Sequence, residues 1–218
     1  MSAKKRSSSR RRSRPVAPKK KNLNVTIIVI AIIATIIIIS AVFLIIGNNS
    51  DEENDGNNGD NSIAVFDTSL GTFKVELYQD KMPETCDNFI KLVNDGFYNG
   101  MNFYRVLNDF MMQAGRYFPD GSDKESPYGN INFEESDVNH LDGAISMAST
   151  GDKVGGSAEF FICDGEQIGL DGRYAAFGLT IEGLNVVHDI AAVDHDNSHP
   201  AGGGKPYTDI IINTIEIE

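Results

Sequence analysis

The chain has 218 residues, with 19 basic and 31 acidic side chains and a net charge of −12. Ten of the basic residues lie within positions 1–21, which hold no acid, so the remainder carries a net charge of −22. A body that acidic repels phosphate, and the basic tail has no interleaved aromatic residues, so no nucleic-acid partner is expected.

Residues 1–24 read as a basic, disordered tail. Val25 to Ile46, VTIIVIAIIATIIIISAVFLII, is an uncharged run of 22 residues. As a helix it spans about 33 Å, enough for a bilayer core. Its β-branched composition favours strand in water, but in lipid the backbone must satisfy its own hydrogen bonds, which makes helix the expected form. A cleaved signal peptide is the competitor. Its apolar region is shorter, and GNNSDEEN after this run offers no convincing cleavage site. The expectation is therefore a single-pass transmembrane helix over 25–46. The basic flank places the N-terminus in the cytoplasm and the rest of the chain extracytoplasmic. The tail is expected to fix this topology, with contact to anionic lipid as a further role.

Residues 47–61 are acidic and rich in Asn and Gly, the composition of a flexible tether. The fourteen residues from Asn48 to Asn61 have a root-mean-square reach of roughly 20 Å. Asn48-Asn49-Ser50 is a formal glycosylation sequon within it.

Residues 62–218 are long enough for one domain with its own core. SIAVFDTSLGTFKVELY alternates on either side of Ser69-Leu70-Gly71 and predicts a hairpin. Pro83 opens a predicted helix with Phe89, Ile90, Leu92 and Val93 on one face, and Gly96 suits its C-terminal end. Short strands are predicted at 101–107, 110–114, 130–134, 143–148, 159–163 and 174–179. A second helix is predicted over 182–193, and TDIIINTIEIE closes the chain as an alternating strand. Many short strands with two isolated helices predict a mainly β fold, a barrel or sandwich with helices at its ends.

Two cysteines, Cys86 on the first helix and Cys163 in an apolar strand, have no metal-like spacing and read as buried, unpaired thiols. No nucleophile elbow, phosphate loop or H-E-x-x-H motif is present. His195 and His199 are four apart, but Pro200 and the glycines after it make the segment a loop, so a surface role is expected rather than a metal site. His140 and His188 are isolated and read as structural or exposed.

One oddity remains. FYRVLNDFMMQAG, residues 103–115, sets Arg105 in an apolar strand with no adjacent carboxylate, an expensive placement unless its donors are used. Alternation puts Met111 and Gln113 on one face. On pattern alone, Phe110, Met111 and Phe161 are equally well core residues.

The motifs FYRVLNDFMMQAG, YGNINFEES, GAISMAS, GSAEFFIC, LDGRYAAFG and IINTIEI occur in an order and spacing that resemble the cyclophilin-type peptidyl-prolyl cis/trans isomerases over nearly all of 62–218. The resemblance implies an eight-stranded antiparallel closed β-barrel capped by two helices, and a cofactor-free isomerase with X–Pro segments as partners. In this chain it would act on exported proteins from a monomeric domain tethered by 25–46. It puts the catalytic arginine on Arg105 and a pocket glutamine on Gln113. Substrate-binding positions fall on Phe110, Met111, Ala148, Ser149, Glu159, Phe161, Leu170 and Tyr174, with no metal ligand. Four departures stand out. Ser149-Thr150 replaces a usual Asn-Ala, Glu159 a glutamine, Tyr174 a histidine, and Gly169 a tryptophan important for cyclosporin binding. A proline-peptide-binding or chaperone module without turnover is the alternative that Glu159 and Gly169 leave open.

Overall fold

The computed structural model describes residues 61–135 and 137–218. The basic tail, the 25–46 span and all but the last residue of the tether lie outside them. Among the described residues no helix is long and apolar enough to cross a membrane.

The predicted hairpin forms as β1 (Ile63–Thr68) and β2 (Gly71–Leu77), in antiparallel register from Ile63–Glu76 to Thr68–Gly71. Its turn is tied by the Thr68 hydroxyl, which donates to the Gly71 carbonyl at 2.6 Å. Alternation sends Ala64, Phe66, Phe73, Val75 and Leu77 inward, each 0–1 % exposed.

α1 runs from Pro83 to Asn94, with Pro83 in the first turn and Gly96 at φ +63° just past the end, as the sequence predicts. It buries Cys86, Phe89, Leu92 and Val93. No side chain of its own caps the N-terminus. Glu134 does so from another segment, accepting from the backbone N–H of Glu84 (3.2 Å) and Thr85 (2.9 Å). This is why the predicted strand at 130–134 is absent. Ile131 donates one backbone bond to Gly156, and the segment then turns to deliver Glu134 to the free N–H groups of the helix.

The other strands are β3 (Arg105–Leu107), β4 (Met111–Ala114), β5 (Ala144–Met147), β6 (Phe160–Cys163), β7 (Ala176–Glu182) and β8 (Ile212–Ile217). α2 spans Leu184–Ala191, shorter than predicted because Glu182 belongs to β7, where it pairs with Lys74. All pairings are antiparallel, in the order β3-β4-β6-β5-β7-β2-β1-β8.

The sheet is a half-barrel, not the closed barrel expected. β3 and β8 do not pair as strands; a single bridge, Asn102–Ile211, joins the segments just before them. β3 has three residues, and the loop at Gly204 takes its outer edge through a bridge to Val106. That leaves β8 no ladder to complete.

Phe160 sits at the centre of the core. Its ring meets Phe66, Phe89 and Tyr98 edge-on at centroid distances of 5.8, 5.7 and 5.4 Å. Both cysteines are buried and unpaired.

Candidate active site

β4 and β6 are buried on both faces, and this places the site. Met112, Ala114, Phe160 and Ile162 face the main core. The alternate residues Met111, Phe161 and Cys163 form a separate apolar cluster with Ala144, and Phe110, Ala148, Leu170 and Tyr174 pack against it. The expectation that Met111 and Gln113 share a face holds. Both line a cavity of about 400 Å³ on the side away from the core, bordered also by Arg105, Phe110, Ala148, Ser149, Phe161, Leu170 and Tyr174.

Arg105 opens β3 directly opposite Gln113. It is 9 % exposed and meets its donors' demands with carbonyl oxygens rather than a carboxylate. Nε donates to Gly202 O at 3.0 Å, Nη2 to Ala201 O at 3.0 Å and Nη1 to Gln113 Oε1 at 3.2 Å. A guanidinium has five N–H groups. Three are taken, which fixes the plane of the fork and leaves one on each terminal nitrogen for a ligand. Burial pulls the guanidinium below its ordinary pKa, but an arginine stays charged at any physiological pH. The Phe110 ring lies 5.9 Å from its Cζ, within cation–π range.

The two carbonyls come from a loop nearly a hundred residues away. Gly203, at φ +73°, lies so close to β3 that a Cβ there would collide with the Val106 carbonyl. Reciprocal bonds between Val106 and Gly204 hold the loop at that distance. The loop also brings His199 to the rim of the cavity, where burial and the Arg105 charge lower its pKa. Sequence reasoning treated this loop as surface and missed Ala201, Gly202 and His199. The signal it passed over was the run Gly202-Gly203-Gly204, a sign of close backbone approach.

Glu159 lies outside the apolar cavity and borders an adjoining one of about 610 Å³, which also touches Arg105, Gln113, Ala148 and Ser149. Its carboxylate accepts from Arg116 Nη1 (3.2 Å), from Gln113 Nε2 (3.3 Å) and from the Tyr104 hydroxyl. Gln113 is therefore held between an anion and a cation. Its NH₂ must face Glu159 and its carbonyl must face Arg105, so the amide has one orientation. Burial and Glu159 together raise the Tyr104 hydroxyl well above its ordinary pKa, so it remains a donor.

Behind the pocket, the His140 ring stacks on Phe161 at 5.9 Å and 10°. Its nitrogens meet Asp171 Oδ1 (2.9 Å) and Ser146 Oγ (3.0 Å), and burial lowers its pKa. Tyr174 meets the same Phe161 ring edge-on at 5.8 Å. The Cys163 thiol is pushed up to about 12, chiefly by burial, so this thiol beside the pocket is a poor nucleophile. At Gly169, next to Leu170, a Cβ would meet nothing within 4 Å.

The site thus offers an apolar seat, a fixed cation with spare N–H groups at its edge, and an oriented amide. It suits stabilising an altered charge distribution beside an apolar ring, without covalent chemistry.

Residues 63–217 match the family described as cyclophilin type peptidyl-prolyl cis-trans isomerase. A peptidyl-prolyl cis-trans isomerase of Synechococcus elongatus is 41 % identical over 129 residues, covering 58 % of this chain and 87 % of the relative. A peptidyl-prolyl cis-trans isomerase-like 1 of Rhizopus delemar is 38 % identical over 135 residues, 61 % of this chain and 81 % of the relative. Among solved structures, a Cryptosporidium parvum cyclophilin type isomerase in the presence of the dipeptide Ala-Pro aligns with a TM-score of 0.64 at 30 % identity. The alignment covers 72 % of this chain and 98 % of that one. With the family match spanning 63–217 and both the relatives and the fold in agreement with it, the chain belongs to the cyclophilin-type peptidyl-prolyl cis/trans isomerases and is an enzyme of that kind.

Proposed function

We propose that the groove isomerises X–Pro bonds of exported proteins at the outer face of a membrane, with Arg105 and Gln113 as the catalytic pair. Rotation about an X–Pro bond is opposed by amide resonance, with a barrier of about 18–20 kcal/mol for an ordinary peptide bond. In the twisted transition state the nitrogen pyramidalises and regains a lone pair. A donor that meets this electron distribution better than the planar one lowers the barrier. The observation that carries the reading is that Arg105 has two uncommitted N–H groups at the edge of an apolar cavity.

In this reading Phe110, Met111, Phe161 and Leu170 seat the proline ring, and Tyr174 braces Phe161 from its edge. Gln113, oriented by Glu159, holds the Arg105 fork through Oε1 and can donate its second Nε2 N–H to a substrate carbonyl. Ala148 and Ser149 border both cavities and offer backbone groups to the residues flanking proline. The Ala-Pro dipeptide used with the Cryptosporidium protein supports an X–Pro ligand for this groove.

The exported setting rests on the sequence: a 22-residue apolar run between a basic tail and an acidic tether. Two measurements test the two halves. NMR exchange on an X–Pro peptide should be accelerated by the full-length protein and not by Arg105→Ala; equal rates for both defeat the catalytic assignment. Protease added outside intact cells should cut the domain while a cytoplasmic control survives. A protected domain, beside an external control that is cut, defeats the topology.

A further inference from the structure

Directly after β6 lies a buried acid that the isomerase chemistry does not use. The Asp164 side chain is 8 % exposed, and its Oδ2 accepts the backbone N–H of Asp109 at 2.7 Å. Its own N–H donates to the Phe110 carbonyl at 3.0 Å. Three residues on, Gln167 Nε2 donates to the Asp109 carbonyl at 3.1 Å. Asp109 needs this support, because it stands at φ +57°, a conformation that costs a non-glycine residue energy unless its surroundings impose it. Residues 164–167 therefore hold both backbone polar groups of Asp109 and the carbonyl of Phe110. Phe110 is the residue whose ring faces both the cavity and Arg105.

The other oxygen of Asp164 meets His188 Nδ1, from α2. On the far side of the ring, Nε2 lies 3.4 Å from Asp142 Oδ2, and Asp142 Oδ1 accepts the Gly165 N–H at 2.8 Å. The charged groups around His188 are all acidic: Asp142 before β5, Asp164 after β6 and Asp189 on its own helix. Each ring nitrogen faces a different carboxylate. Both can donate only as an imidazolium, whereas a metal ion would need one nitrogen stripped of its proton. The three side chains are close enough to be considered as a cation site, but this divided geometry is that of a protonated bridge.

We propose that Asp164 is a positioning residue for the isomerase, setting the 108–110 turn and through it Phe110, and that the His188 imidazolium locks it in place by bridging to Asp142. The inference rests on the reading of Phe110 as a wall of the proline pocket. When the imidazole loses a proton, the Nε2 lone pair faces the Asp142 carboxylate and that half of the bridge opens. The acidic neighbours raise the His188 pKa above its ordinary 6.5, the hydrogen bond to Asp164 contributing most. The bridge is therefore complete below about pH 6.5 and is lost as pH rises through the higher folded-state value.

The test uses the full-length protein and an X–Pro peptide, with dissociation constant and bound-state exchange rate both read by NMR from pH 6 to 9. Asp164→Ala should weaken peptide binding by about fivefold to tenfold with a smaller change in the exchange rate. Asp164→Asn, which keeps an oxygen for the Asp109 N–H, should recover most of that loss. Wild-type affinity should decline by about twofold to threefold across the upper half of the range, and His188→Gln should make the profile flat. Circular dichroism and melting confirm that the variants are folded. Three results overturn the proposal: unchanged affinity in a folded Asp164→Ala, the same pH profile in His188→Gln as in wild type, or removal of that profile by Zn²⁺ or Mn²⁺ with broadening of the His188 signals. Loss of catalysis in Arg105→Ala, measured alongside, shows that any such failure lies with Asp164 and not with the isomerase reading.

Discussion

Truncating Arg105 to alanine separates catalysis from folding. The guanidinium commits three N–H groups to Gly202, Ala201 and Gln113, and leaves two for the substrate. Hydrogen bonds from a charged donor are worth about 1.5–3 kcal/mol each. The groove is open to water and Gln113 stays behind, so about 3–4 kcal/mol is the sensible figure for both together. At 1.36 kcal/mol per tenfold, that is a loss of about 10²–10³ in kcat/KM. Because the contact strengthens only in the twisted state, the loss should fall on kcat, with peptide affinity changed by less than about threefold. The cost to folding should be small, about 1 kcal/mol, because the Ala201 and Gly202 carbonyls lie in a surface loop where water replaces the lost donors. NMR line-shape analysis of a proline peptide gives the two quantities separately. A folded Arg105→Ala whose catalysed exchange stays within about threefold of wild type would refute the reasoning.

Adjacent phenylalanines on β6 should behave oppositely. Phe160→Ala empties the centre of the core and should cost about 3–5 kcal/mol of stability by denaturant unfolding, whereas Phe161→Ala should cost less and abolish most peptide binding. Gly203→Ala should push the loop off β3 and withdraw the carbonyls that hold Arg105, lowering kcat/KM by about tenfold or more; normal activity with a normal melting temperature would count against the loop's role. His140 gives a pH signature of the opposite sign to His188. Its pKa is depressed in the fold, so the unfolded chain takes up its proton first as pH falls below about 6.5, and stability is lost through that interval down to the folded-state value. Unfolding free energies of His140→Asn and wild type, compared between pH 4.5 and 7, should show a shallower acid limb in the variant.

Local chemistry was enough for some of this structure. Pro83 and Gly96 bracket α1, and alternation about Ser69-Leu70-Gly71 defines the first hairpin, because capping and pleating depend on residues close in the chain. The motif set pointed to the family and to the residues that gather at the groove. Segments whose shape depends on remote partners were misjudged. The 130–134 run has the residues of a strand, but Glu134 is recruited to the end of α1, fifty residues earlier in the chain. The closed barrel expected from the family was replaced by a half-barrel, since the glycine loop and not β8 covers the edge of β3.

The amino-acid sequence by itself determined where the charges lie, where the apolar runs fall and which side chains alternate along each strand. It left Phe110, Met111 and Phe161 undecided between core and pocket, because a strand buried on both faces shows no polar alternation to tell them apart. Only the tertiary structure decided that one face of β4 and β6 packs into the core while the other lines a cavity. It also decided that Arg105, with no counter-ion nearby in the chain, is held by carbonyls 96 and 97 residues away. The physical reason is the same in both cases: burial and hydrogen-bond satisfaction depend on what is brought alongside, and chain folding sets that.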